Sequence, residues 1–186
     1  MSTRPRVTPF IPPLFSTVRV GLRNEIEGYI AALNLSKAEI KELLEYYDKV
    51  WILVDSGEIS LQLDFHARIN NRRVNIDFKS GFGSNEKGNT NRLLMVATIY
   101  QKLGESYDNV LLVRAREDLN NDNFKKLKNS TVWHAYCGTE AYLKIGEYTG
   151  FDLQAWIKQN IDWPADLLPS TITHFTENDL MKYLEW

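Results

Sequence analysis

Two runs of strict alternation, separated by Asn70-Asn71, constrain this chain more than any other feature of its sequence. In the first, Leu61, Leu63, Phe65, Ala67 and Ile69 alternate with Gln62, Asp64, His66 and Arg68. In the second, Val74, Ile76 and Phe78 alternate with Asn75, Asp77 and Lys79. A period of two belongs to strands, whose successive side chains point to opposite faces. Residues 58–79 therefore predict a β-hairpin with one apolar face and one polar, ionisable face.

The turn decides which polar residues meet. With a two-residue turn at Asn70-Asn71, Ile69 pairs with Arg72, and Asp64 falls opposite Asp77. A four-residue turn sets Asp64 against Lys79 and His66 against Asp77. A three-residue turn mixes the two faces and is disfavoured. Either surviving register puts Asp64, Asp77 and Lys79 together. Carboxylates on directly opposed residues stand about 4.5–5.5 Å apart at Cβ. At an effective dielectric of 20 their repulsion is about 3 kcal/mol, which calls for a proton, a lysine or a cation. A divalent cation such as Mg²⁺ suits paired carboxylate oxygens. Bound there it polarises a phosphodiester and acidifies an attacking water. Lys79 is placed to position that water or to stabilise developing negative charge. A plain salt bridge on a solvated sheet face is the competing reading.

The flanking sequence supplies helices. Leu22, Ile26, Tyr29, Ile30 and Leu33 form a helical stripe over 17–33. Ser36 and Glu39 form a capping box opening a helix through about Asp48. Val50–Val54, short and rich in branched residues, reads as a strand. A Gly/Ser/Asn loop over 80–88 leads to a helix over 90–102, followed by strands at 110–113 and 132–136. Short helices are expected near 139–148, 151–160 and 177–185, and the proline-rich residues 4–16 as an extended arm. The fold class is thus α/β, with three antiparallel strands, a helix and a parallel strand in one mixed sheet flanked by helices.

At Asp64 and Asp77-Phe78-Lys79 the chain resembles the PD-(D/E)XK, or restriction-endonuclease-like, nucleases. The resemblance lies in an acid at the start of the hairpin, the acid-any-lysine tripeptide on its second strand and a following helix. The α-β-β-β-α-β order over about 17–136 is similar to that family's core, leaving 137–186 as a helical elaboration of a single domain spanning 1–186. Leu63 stands where many members carry proline. The resemblance implies Asp64 and Asp77 as Mg²⁺ ligands, Lys79 as the group assisting the nucleophilic water, and Glu25 on the first helix as a further acid. It implies a type II restriction endonuclease acting on double-stranded DNA. The alternatives are a repair or junction-resolving nuclease, or a non-catalytic module on a degenerate nuclease fold.

Charge distribution agrees with a DNA partner. The whole chain has 22 basic and 24 acidic side chains, yet residues 66–92 are locally basic. Arg68, Arg72, Arg73, Ser80, Asn85, Lys87, Asn89 and Arg92 are the candidate DNA contacts. The loop Gly83-Ser84-Asn85-Glu86-Lys87-Gly88-Asn89-Thr90 has Asn89 where a phosphate-binding loop requires lysine, so no nucleotide cofactor is expected. Three histidines and one cysteine, Cys137, give no structural zinc spacing. The single cysteine fits a reducing cytoplasm. No window approaches a membrane span. Cutting both strands with one active face per chain calls for a homodimer, and the aromatic-rich C-terminal third is where part of its surface is expected.

Overall fold

The computed structural model describes residues 5–54, 60–83, 87–103 and 106–184. The hairpin forms in the two-residue register. Strand β2 (Phe65–Ile69) pairs antiparallel with β3 (Arg72–Lys79), and Ile69 stands opposite Arg72. Asn70 and Asn71 make the turn with φ of 50° and 68°, the left-handed region that asparagine tolerates best after glycine.

The first strand begins later than the alternation suggests. Asp64 Oδ2 accepts the Phe78 N–H at 2.8 Å, and His66 Nε2 accepts the Leu63 N–H at 2.9 Å. These side chains take backbone donors at the strand's mouth, so Leu63 and Asp64 precede the strand rather than form part of it.

The third antiparallel strand is also not where the sequence suggests. The backbone of Val50–Val54 continues helix α2 (Lys37–Val54). A five-residue branched run cannot be told from a buried helical turn by its pattern, and extending a helix already nucleated costs little. The vacant sheet position is filled by the arm: β1 (Val7–Pro9) pairs antiparallel with β2, Thr8 opposite Arg68. Beyond β3 the sheet is parallel, with β4 (Tyr107–Val113) and then β5 (His134–Cys137). The result is a five-stranded mixed sheet in the order β1-β2-β3-β4-β5.

The chain forms two compact units, one of residues 11–62 and one of residues 1–10 with 63–186. In the first, α1 (Phe15–Ala31) precedes α2. Arg23 pairs with Asp48 and, at 3.0 Å, with Glu27, and the Phe15 and Trp51 rings lie 5.7 Å apart. The capping box is formed: Ser36 N and Oγ donate to Glu39 Oε2 at 2.8 and 2.7 Å.

In the second unit, helices cover both faces of the sheet. Helix α3 (Lys87–Lys102) brings Leu93, Val96, Ala97 and Tyr100 to one face. Ala67, Ile69, Val74, Ile76, Val110 and Leu112 on the other face pack with Ala141 of α5 (Thr139–Thr149). Helix α4 (Asp122–Lys128), which the apolar pattern did not signal, is capped by Asn121, whose side chain accepts from Asn123 N at 2.9 Å. Helices α6 (Leu153–Asn160), α7 (Trp163–Asp166) and α8 (Pro169–Glu177) follow. The last expected helix, over 177–185, is displaced: Pro169 pre-sets a helix start, and Asp179 at φ 54° follows its end. No helix among the described residues is long and apolar enough to cross a membrane.

Candidate functional site

Asp77 and Lys79 lie at the carboxyl end of β3, which is continuous with the parallel part of the sheet. Strand carboxyl ends are where open α/β sheets bind ligands. Asp77 is 1% exposed. Lys79 Nζ pairs with Asp77 Oδ1, lies 3.8 Å from Asp64 Oδ2 and donates to the Phe78 carbonyl at 3.1 Å. Arg92, from the first turns of α3, reaches within 3.8 Å of Asp77 Oδ2. Asp64 keeps a side chain 48% exposed, so the cluster has a wet side and a dry side. Burial pushes the Asp77 carboxyl above its usual range; Lys79 opposes this, Asp64 adds to it, and Arg92 opposes it more weakly.

The alternation anticipated one apolar and one polar, ionisable face, with a solvated polar face as the competing reading. The structure instead buries it: His66 and Asn75 are buried with Asp77, while Phe65 and Phe78 on the opposite face are 39% and 45% exposed. Burial of so much polar surface requires partners, and a continuous chain supplies them. His66 Nε2 accepts from Leu63 N, so Nδ1 carries the proton and donates to Asn75 Oδ1 at 2.9 Å. Asn75 Nδ2 donates to Asn109 Oδ1 at 2.8 Å. Asn109 Nδ2 donates to the carbonyls of Ala97 and Val132 at 3.3 and 3.2 Å. Burial lowers the His66 pKa, and the bond to Asn75 opposes the shift. His66 is therefore a neutral strut that holds β2, β3, β4 and α3 together behind the carboxylates.

A second set of asparagines fixes the loop leaving β3. Asn120 Oδ1 accepts from Phe82 N at 2.8 Å, and its Nδ2 donates to the Arg116 carbonyl at 2.8 Å. Asn121 donates through its side chain to Gly83 O, and a Cβ on Gly81 would meet Ala115 Cβ at 3.1 Å. Sequence reasoning missed Asn75, Asn109, Asn120 and Asn121. For Asn109 the signal was an asparagine directly preceding the apolar run of β4.

The other candidates separate. Ser80 follows Lys79, and Asn89 and Arg92 lie on the first turns of α3, near the cluster's end of the sheet. Arg68, Arg72 and Arg73 sit at the turn end of the hairpin. Seven strand steps, about 23 Å, separate Arg72 from Lys79, so the basic stretch is not one strip. Asn85 and the Lys87 side chain lie outside the described residues. Glu25 is solvent-exposed on α1, in the unit that does not carry the cluster.

Among the described residues no group of three or more His, Cys, Asp and Glu side chains is arranged to hold a metal. Mg²⁺ asks for less, one or two carboxylates with waters completing its shell. The donor set fits that demand: Asp77 Oδ2 is buried without a hydrogen-bond partner among the described residues, and Asp64 faces water beside it. No protein-family model, curated protein or solved structure matches the chain.

Proposed function

We infer that the protein is a Mg²⁺-dependent endonuclease that hydrolyses phosphodiester bonds of double-stranded DNA, with Asp64, Asp77 and Lys79 as its catalytic set. The observation that carries the reading is a buried carboxylate with an orphaned oxygen, paired to a lysine and next to an exposed carboxylate. Perturbed carboxylates of this kind concentrate at functional sites. The mixed sheet and the position of the acid-any-lysine tripeptide at a strand's carboxyl end agree with the PD-(D/E)XK architecture.

Asp64 and Asp77 would hold the ion, which when bound supplies Lewis-acid polarisation of the phosphate and a more acidic water. Lys79 brings its ammonium to the site where the attacking water and the developing phosphorane charge must lie. Arg92 adds a second positive charge on the Asp77 side. The dry wall behind Asp77 strengthens these interactions by excluding solvent. A site-specific restriction enzyme working as a homodimer is the form of this activity that best suits a small chain with one cluster.

Unmethylated plasmid incubated with Mg²⁺ tests the reading. Wild type should give discrete fragments and Asp77→Ala none, with the circular dichroism spectrum retained. Near-normal cutting by Asp77→Ala overturns the site. Cutting confined to branched substrates replaces restriction by junction resolution.

A further inference from the structure

Arg68 and Arg6, both exposed at the hairpin tip, have no part in the cluster's chemistry. Arg68 and Arg73 are direct cross-strand partners, and like charges so placed repel. Arg73 is immobilised: its guanidinium donates to Tyr107 Oη at 2.6 Å and lies 5.3 Å from the Tyr107 ring and 5.7 Å from the Phe10 ring. Arg68 is solvent-exposed and enters no ion pair among the described residues. Its other neighbour across the sheet is Thr8. Arg6, also exposed, sits beside the turn, where its carbonyl accepts from Asn70 N at 3.3 Å. Arg68 and Arg6 therefore present positive charge beside Thr8 and the Asn70-Asn71 turn, the chemistry that meets a phosphate backbone.

Arg68 also has a defined place relative to the cluster. It stands opposite Arg73, which shares strand parity with Asp77 four residues along β3. Four extended steps cover about 13 Å. We propose that Arg68, with Arg6 beside it, is an anchor for backbone phosphates of duplex DNA about 13 Å from the phosphate that the cluster attacks. This rests on the nuclease reading for the position of the scissile phosphate. The contact itself is one of binding, separate from chemistry.

Binding is measured without divalent cation, by fluorescence anisotropy of a labelled 20-base-pair duplex over a salt series. Cleavage is measured separately, in single turnover with Mg²⁺ and saturating protein. Arg68→Gln should bind about fivefold more weakly at 0.1 M salt, and the slope of log K against log salt should shrink by about 0.9, the contribution of one phosphate. Arg68→Lys should restore the slope. Unchanged affinity and slope in Arg68→Gln, with wild type binding duplex, overturn the anchor and leave the nuclease reading standing. The expected slope change without any cleavage by wild type supports the DNA contact and removes the nuclease reading. Binding to anionic phospholipid vesicles but not to duplex overturns the anchor in favour of a lipid surface.

Discussion

Asp77 is held where its charge is least welcome. Its folded-state pKa is raised, chiefly by burial, so its contribution to stability is fully present below the unfolded carboxyl value and is lost as pH rises through the folded value. Ionising Asp77 thus weakens the fold it serves. Asp77→Asn is expected to abolish cleavage while raising the melting temperature by ~2–4 °C, the shift that about 1 kcal/mol gives in a chain of this size; an equal or lower melting temperature would contradict that balance. His66 works in the opposite sense. Its folded pKa is lowered, so stability is complete above the unfolded value of about 6.5 and falls as pH drops below it. Urea titrations from pH 7.5 to 5 should show that decline, and His66→Gln, which does not titrate there, should show less of it. The carboxylates and the lysine were legible in the sequence because a period of two assigns faces regardless of register. The burial of that face was not legible, because it depends on Asn75 meeting Asn109 across a parallel pair 34 residues apart.

The best-written elements are those whose signals are local. The capping box of Ser36 and Glu39 opens α2, and Asn70-Asn71 makes the tight turn, each within a few residues of its cause. Where the decision is non-local, sequence pattern misleads: Val50–Val54 has strand composition, yet its backbone stays helical because the helix preceding it sets the state. The turn gives a direct test. Both of its residues have positive φ, so Asn71→Gly should leave stability unchanged or slightly higher. Asn71→Val should cost about 1–2 kcal/mol, read as a lower urea midpoint at constant m-value.

At the scale of the molecule, the α/β class and most of the sheet follow from hydrophobic periodicity, whereas the identity of the outermost strand does not. Three residues of a proline-rich arm carry no periodic signal, and only pairing with β2 makes them a strand. On the nuclease reading, one such cluster among the described residues of each copy would leave the second DNA strand to a second copy. Light scattering on the protein with duplex DNA should therefore report protein mass near twice 21.6 kDa. A monomer that only nicks would remove the homodimer and, with it, the restriction form of the activity.

The pairing of Val7–Pro9 with Ala67–Ile69 also sets an order of events during translation. The residues of β1 leave the ribosome early and must wait through the synthesis of residues 11–62 before their partner strand exists. Until then the nascent chain carries an unattached arm, and afterwards β2 has an open edge that only this arm closes. A solubility tag fused ahead of Val7 would therefore act on the arm that has to find this edge. Moving such a tag to the other terminus should raise the yield of folded protein.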